Sequence, residues 1–383
     1  MSSSSDVYRF DIIIDKYIIY INNIIFAAGL IGNIFNILVF TKLKVFRGNR
    51  CAFYLIIESI VSTILLFIYF IFHIFKKIYG AEPDDISLIV CKLKITFIQS
   101  CRLLISSVIC FKALDQFFST NYRVYLRRIP TFKRARYSVI IATILWVLQT
   151  IPYIFFSNIV PSLGCIVTNQ ALFRYYSYFY YILLNGLFPI LISSLFSLFA
   201  YQNVRHLIRR QVPIQRRRLD HQMTAMIFVR VLVFVILTLP FTIFQIYKLN
   251  ININLITDLH YDINQIVATI VTSLLIYNYS LTFYIFLVTS SRFRRQVKYL
   301  LLKKCWVVLK LNSSSLTDIK SLLIFYIFTL IDSNICSNVP LNLLILEQVS
   351  PTGSLRHKFD FLTTVLLSLV RMFIIYGLFR VIH

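Results

Sequence analysis

Four ionisable side chains stand inside long apolar runs: Glu58 in CAFYLIIESIVSTILLF, Arg102 in FIQSCRLLISSV, Lys112 in VICFKALDQFF and Arg230 in MIFVRVLVFV. In a hydrocarbon setting such a charge costs about 2.5–3.5 kcal/mol, so it is kept for pairing, for a ligand of opposite charge, or for a switch. Asp115 closes the third of these runs, and its neighbour is the neutral Gln116. The chemistry on offer is ionic and hydrogen-bonding, with no bond-making group in view. The histidines at 73, 206, 221, 260, 357 and 383 are scattered, and none shares helical i, i+4 spacing with a nearby acid. No metal site is indicated, and clustered histidines or paired acids of a membrane enzyme are missing. The expectation is a non-enzyme without a cofactor.

The runs themselves say what must position these residues. Of 383 residues, 58% are hydrophobic, with 35 Phe and 24 Tyr. A soluble domain sits near about 45–50% apolar. The excess comes in blocks long enough to cross a hydrocarbon layer of about 30 Å, which takes about 20 helical residues. Seven candidate spans cover about 17–41, 51–75, 93–117, 137–157, 176–201, 222–247 and 263–288. The connections are short and polar. No internal repeat is apparent and glycines are few, which speaks against the broken helices of an inverted-repeat transporter. The fold class is an all-α membrane protein, a seven-transmembrane helix bundle.

The net charge of +24 would suggest nucleic acid in a soluble protein. Here it follows from loop asymmetry, and no nucleic-acid partner is expected. Basic clusters follow spans one (Lys42 to Arg50), three (Arg123 to Arg136), five (Arg205 to Arg218) and seven (Arg292 to Lys304). The opposite side carries few bases. Lys and Arg favour the cytoplasmic face, which puts the N-terminus, residues 1–16, outside. Residues 1–16 mix acids and bases, unlike a signal peptide, so the first span is expected to act as its own insertion signal. A multi-pass protein of the plasma membrane is expected, with the bilayer as its first partner.

Cys91 and Cys165 are the cysteines before the tail that fall in outward connections. An oxidising exterior leads to the expectation of a disulfide between them. Cys51, Cys101 and Cys110 fall in or at the start of spans as small apolar fillers. Past span seven, residues 289–305 form a basic stretch in which Phe293, Val297, Leu300 and Leu301 recur at helical spacing. That pattern suits a short helix lying on the inner leaflet, although a solvated tail remains the alternative. Cys305 at its end is either a palmitoylation site or a free thiol. Residues 306–383 form an atypical hydrophobic C-terminal tail. Its segment 361–382 is long enough to span but carries Arg371. It is either an extra hydrophobic segment or no folded part of the protein.

The whole pattern over about 17–305 resembles the rhodopsin-like (class A) G-protein-coupled receptors, in particular the peptide-receptor-like branch of small invertebrates. Gly32 and Asn33 in GLIGNIFNILVF match the first-helix signature, and Cys91 with Cys165 the family disulfide. Trp146, Pro189 and Pro240 match the landmarks of helices four, five and six, and RFRRQ resembles the eighth helix. Order and spacing carry the likeness, since each match alone is weak. Departures are equally clear. The second-helix acid that holds sodium in the family falls on Ser62, the aromatic before the sixth-helix proline on Thr238, and Asn-Pro-x-x-Tyr on Thr282 to Phe286. Asp-Arg-Tyr becomes Asp115-Gln116-Phe117, so Gln116 stands where the family's G-protein-contacting arginine would be.

The resemblance places Glu58, Lys112 and Arg230 in the layer where helices two, three and six meet, usually an apolar one. One acid among two bases suggests a shared cluster acting as a switch together with Asp115 and Gln116. Alternatively Lys112 and Arg230 snorkel separately and Glu58 is protonated. Asp115 is expected to accept hydrogen bonds from Arg123 or Tyr122. Toward the outside the resemblance surrounds Arg102 with Gln99, His73, Tyr181, Asn185, Thr238 and Gln245. That is a polar pocket with one fixed positive charge, suited to a carboxylate; otherwise Arg102 meets an internal acceptor or water. The implied function is a cell-surface receptor for an extracellular peptide or small molecule, with a heterotrimeric G protein at its cytoplasmic face. The competing expectations are a receptor-shaped protein with weak or absent coupling and, behind it, a transporter.

Overall fold

The computed structural model describes residues 3–42, 48–79, 86–160, 164–208, 214–250 and 258–300. Leu301, Cys305 and the 306–383 tail lie outside them. The chain divides into two compact units, residues 1–283 and 284–383.

The described residues of the first unit are helical almost throughout. Its elements are α1 (Ser3–Lys42), α2 (Arg50–Tyr79), α3 (Leu88–Thr120), α4 (Val124–Arg128), α5 (Phe132–Phe156), β1 (Ser157–Val160) and β2 (Gly164–Val167). Then come α6 (Gln170–Arg174), a π-helical segment (Tyr175–Leu187), α7 (Phe188–Ile208), α8 (Ile214–Asn250) and α9 (Asp258–Ser280). A further helix, α10 (Thr282–Thr289), follows the break at Leu281. The helices overrun the expected spans: α1 starts at Ser3 rather than near 17, and α8 covers Ile214–Asn250 rather than about 222–247. Backbone hydrogen bonding continues wherever the sequence lets it, whereas an apolar run marks only the part suited to lipid.

Among the described residues five helical stretches are long and apolar enough to cross a membrane: Ile21–Lys42, Arg50–Lys76, Phe132–Phe156, Gln170–Arg205 and Gln222–Tyr247. The pair Ile266–Ser280 and Thr282–Thr289, broken at Leu281, makes a sixth when taken together. α3 is not among them; its 33 residues carry Lys92, Lys94, Arg102, Lys112 and Asp115. The fold is that of an all-α multi-pass membrane protein, with five such spans, or six with the bent pair, among the described residues.

α3 is the central element, in contact with α2, α5, α7 and α8. Trp146 Nε1 donates to Ser107 Oγ at 2.8 Å, and the hydroxyls of Ser100 and Thr150 lie 2.8 Å apart, fastening α5 to α3. Asn33 Nδ2 donates to the Tyr279 carbonyl at 3.2 Å, joining α1 to α9. These helices approach closely at Gly29, where an added Cβ would come within 2.7 Å of Leu66 on α2 and within 2.5 Å of Ser280 on α9.

Two features differ from the sequence expectation. The connection between α5 and α6 contains an antiparallel hairpin, with Ser157 opposite Val167 and Val160 opposite Gly164. The disulfide expected between Cys91 and Cys165 is present there, joining the first turn of α3 to β2 with Cα atoms 5.7 Å apart. Helix continuity also fails in two places, although few glycines are present. Pro189 has no N–H for the carbonyl four residues back. Before it the chain winds in π register, and the Phe188 N–H donates to the Leu183 carbonyl. The second interruption is at Leu281, which still donates to the Tyr277 carbonyl at 3.2 Å; no proline stands there. It falls where the resemblance sets the Asn-Pro-x-x-Tyr motif.

In the second unit, residues 291–300 are helical. Ser290 Oγ accepts from the Phe293 N–H at 3.2 Å, and Arg294 donates to the carbonyls of Leu287 and Val288 at 2.9 and 3.0 Å. A cation at the end of α10 meets the negative pole of that helix. Phe293, Val297 and Leu300 are buried along one face.

Candidate functional site

The structure brings Glu58, Lys112 and Arg230 together. Each is about 1% exposed, and they come from α2, α3 and α8. Lys112 donates to Glu58 Oε2. Arg230 reaches the other oxygen, Oε1, with Nε at 3.0 Å and Nη2 at 2.8 Å. Its guanidinium continues to Asn278 of α9, with Nη1 to Oδ1 at 2.7 Å and Nη2 to the carbonyl at 3.2 Å. One buried carboxylate and one fork thus hold four helices. Each of the three makes a direct ionic hydrogen bond, which offsets part of the cost of burying it. Neither base snorkels. Asn278 was not foreseen: a neutral amide in a helix leaves no mark in a charge pattern.

One turn further along α3, Asp115 corrects an expectation. Its partner is Arg50 at the start of α2, with Nε 2.9 Å and 3.2 Å from the two carboxylate oxygens. Arg123 donates instead to the hydroxyls of Tyr122 and Tyr125, at 2.9 and 3.4 Å. The reason is local. α3 ends at Thr120, and the chain leaves through an extended Asn121, so Arg123 pairs with its own loop. Gln116 is buried and donates from Nε2 to Thr224 Oγ1 of α8 at 2.5 Å. Cys51 Sγ lies 3.4 Å from Gln116 Oε1 and 3.8 Å from Asp115 Oδ2. Gln116 therefore links α3 to α8 through a neutral bond.

The second polar group lies higher on α3. Arg102 is buried; its Nη2 donates to the Tyr69 hydroxyl of α2 at 2.6 Å. The guanidinium carbon sits 5.5 Å from the centre of the Phe241 ring of α8, within cation–π range. The internal acceptor is thus a neutral phenol, and among the described residues no carboxylate answers the charge. Gln99 Nε2 donates to the Tyr181 hydroxyl at 2.7 Å, and the Tyr180 hydroxyl donates to the Gln99 carbonyl at 2.9 Å. π winding stacks residues four to five apart, which sets Tyr176, Tyr180, Tyr181 and the buried Asn185 in one column of that segment. His73 follows Tyr69 by one turn of α2, and Gln245 follows Phe241 by one turn of α8. Gln99, Arg102 and Tyr181 are thereby drawn into one tyrosine-lined group. His73, Asn185 and Gln245 stand on adjoining turns of the same helices. Tyr69 and Phe241 were missed, since aromatic residues are everywhere in these spans. Arg102 Nε, Gln99 Oε1 and Thr238 Oγ1 are buried with no hydrogen-bond partner among the described residues.

No family model matches the chain, and no curated protein matches it. What it does is therefore argued from its own geometry.

Proposed function

We propose that the chain is a cell-surface receptor of rhodopsin-like architecture. It has seven spans with the N-terminus outside, and α3 is its charged central span. An extracellular ligand meets the tyrosine-lined group around Arg102, and a cytoplasmic G protein responds to movement of α8. One observation carries this reading: the Glu58–Arg230 pair ties α8 to α2 and α9 at a buried point where a change of partner would release it. A charge-assisted contact away from water contributes about 1.5–3 kcal/mol, enough to shift a two-state equilibrium roughly 10- to 100-fold. Gln116 cannot carry the charge of the arginine it replaces. In this reading the ionic restraint on α8 lies one turn deeper, at Arg230.

The test is nucleotide exchange on a heterotrimeric G protein added to membranes that hold the chain. Glu58→Gln should raise exchange without ligand roughly 10-fold or more over the unmodified chain. Exchange equal to that of empty membranes for both proteins would favour the second reading, a receptor-shaped protein without coupling. That reading draws support from Asp115 being held by Arg50 and from the neutrality of Gln116.

A further inference from the structure

The cluster that fastens α8 is unbalanced in both charge and hydrogen bonding. Glu58 is one acid among two bases, Lys112 and Arg230, so the group carries one excess positive charge when all three are ionised. Asp115, the other buried acid among the described residues, does not correct this, because Arg50 holds both its oxygens. The hydrogen-bond count leans the same way. An ammonium has three donors and a guanidinium five. Lys112 spends one on Glu58, and Arg230 has an Nη1 hydrogen beyond the one given to Asn278. Among the described residues Asn278 Nδ2 is buried with no partner, on the same amide whose oxygen receives Arg230. The hydroxyls of Ser59 and Ser62, one residue and one turn past Glu58, are likewise buried without a partner, as is Thr282 Oγ1, one turn past Asn278. Each of these residues is at most 1% exposed.

We propose that this layer is an inorganic-anion site and that its ion is chloride. The remaining ammonium hydrogens of Lys112, the spare guanidinium hydrogen of Arg230 and the amide nitrogen of Asn278 are donor capacity left over in a cluster of net positive charge. A buried charge needs a counter-charge as well as hydrogen bonds. Water would satisfy the donors and leave the charge, whereas a monovalent anion answers both. The site does not rest on the receptor reading, since it concerns only how the folded bundle balances its interior.

The experiment uses the full chain in lipid nanodiscs. Its melting temperature is followed while sodium gluconate is replaced by sodium chloride at constant ionic strength. A ligand that binds only the folded state stabilises it in proportion to the logarithm of its concentration above Kd. Chloride should raise Tm by several degrees relative to gluconate. Lys112→Met removes the excess charge, leaves the Glu58–Arg230 pair neutral, and should abolish the chloride shift. Glu58→Gln adds to the excess charge and should move the chloride midpoint at least threefold lower. Equal Tm in the two salts for the unmodified chain would overturn the site. So would a full chloride shift in Lys112→Met, which would assign the effect to the basic surface. If Lys112→Met does not fold, Glu58→Gln decides: a midpoint unchanged or raised refutes the proposal.

Discussion

At the scale of single residues, stability turns on side chains whose charge has to be answered where water is scarce. Glu58→Gln removes the carboxylate that two buried bases share. Losing one partner of a buried ion pair is destabilising by about 3–5 kcal/mol, so thermal unfolding of this variant in detergent should come markedly earlier. Exchanging the charges, Glu58→Lys with Arg230→Glu, should recover part of that loss and return ligand-free nucleotide exchange toward the unmodified level. A double variant no better than the worse single one would show that the pair does not act through its charge. Arg102 gives a contrasting case, because its partners are a phenol and a ring face. Arg102→Leu should lower agonist potency roughly 10- to 100-fold, the weight of about 1.5–3 kcal/mol for a charged hydrogen bond, with surface expression retained. Dose–response curves beside surface labelling separate the two effects. Unchanged potency would return Arg102 to a purely internal role.

At the scale of elements, the hairpin of β1 and β2 is fastened to α3 by the Cys91–Cys165 bridge. Cys91→Ser should lower surface expression, and the double variant with Cys165→Ser should be no worse than either alone. Independent, additive losses would contradict the pairing. The π segment meets α8 at Gly186, where an added Cβ would come within 2.6 Å of the Thr242 side chain. Gly186→Val should therefore destabilise the fold by about 1–3 kcal/mol, the usual range for overpacking, and Thr242→Ala should relieve part of it. How far such elements were legible varies with the physics behind each. Helices were legible as apolar runs, and Glu58, Lys112 and Arg230 as charges that apolar runs do not tolerate unpaired. The Cys91–Cys165 bridge was legible from compartment and loop position. Asn278, Tyr69 and Phe241 were not, since a neutral amide or one aromatic among many gives no signal. Nor was Arg50 as the partner of Asp115, because that contact depends on where α3 ends. The π winding before Pro189 and the break at Leu281 depend on local backbone hydrogen bonding, which hydrophobic periodicity does not encode.

At the scale of the whole molecule, orientation rests on the basic loops. Single cysteines placed within 123–136 or 205–218 should resist an impermeant thiol reagent on intact cells and react after permeabilisation. Labelling from outside would reverse the proposed topology, and with it the assignment of α8's inner end to a G protein. In the proposed receptor the contact of Arg230 with Glu58 keeps the Thr224 end of α8 against α3. This is tested most directly by measuring that separation. Spin labels at Tyr122→Cys and Gln222→Cys, in a chain carrying Cys305→Ser and Cys336→Ser and held in nanodiscs, report the distance by double electron–electron resonance. The unmodified chain should give one dominant short distance. Glu58→Gln should add a population several ångströms longer, and the charge exchange with Arg230→Glu should diminish it. Superimposable distance distributions for the unmodified chain and a folded Glu58→Gln would contradict the claim.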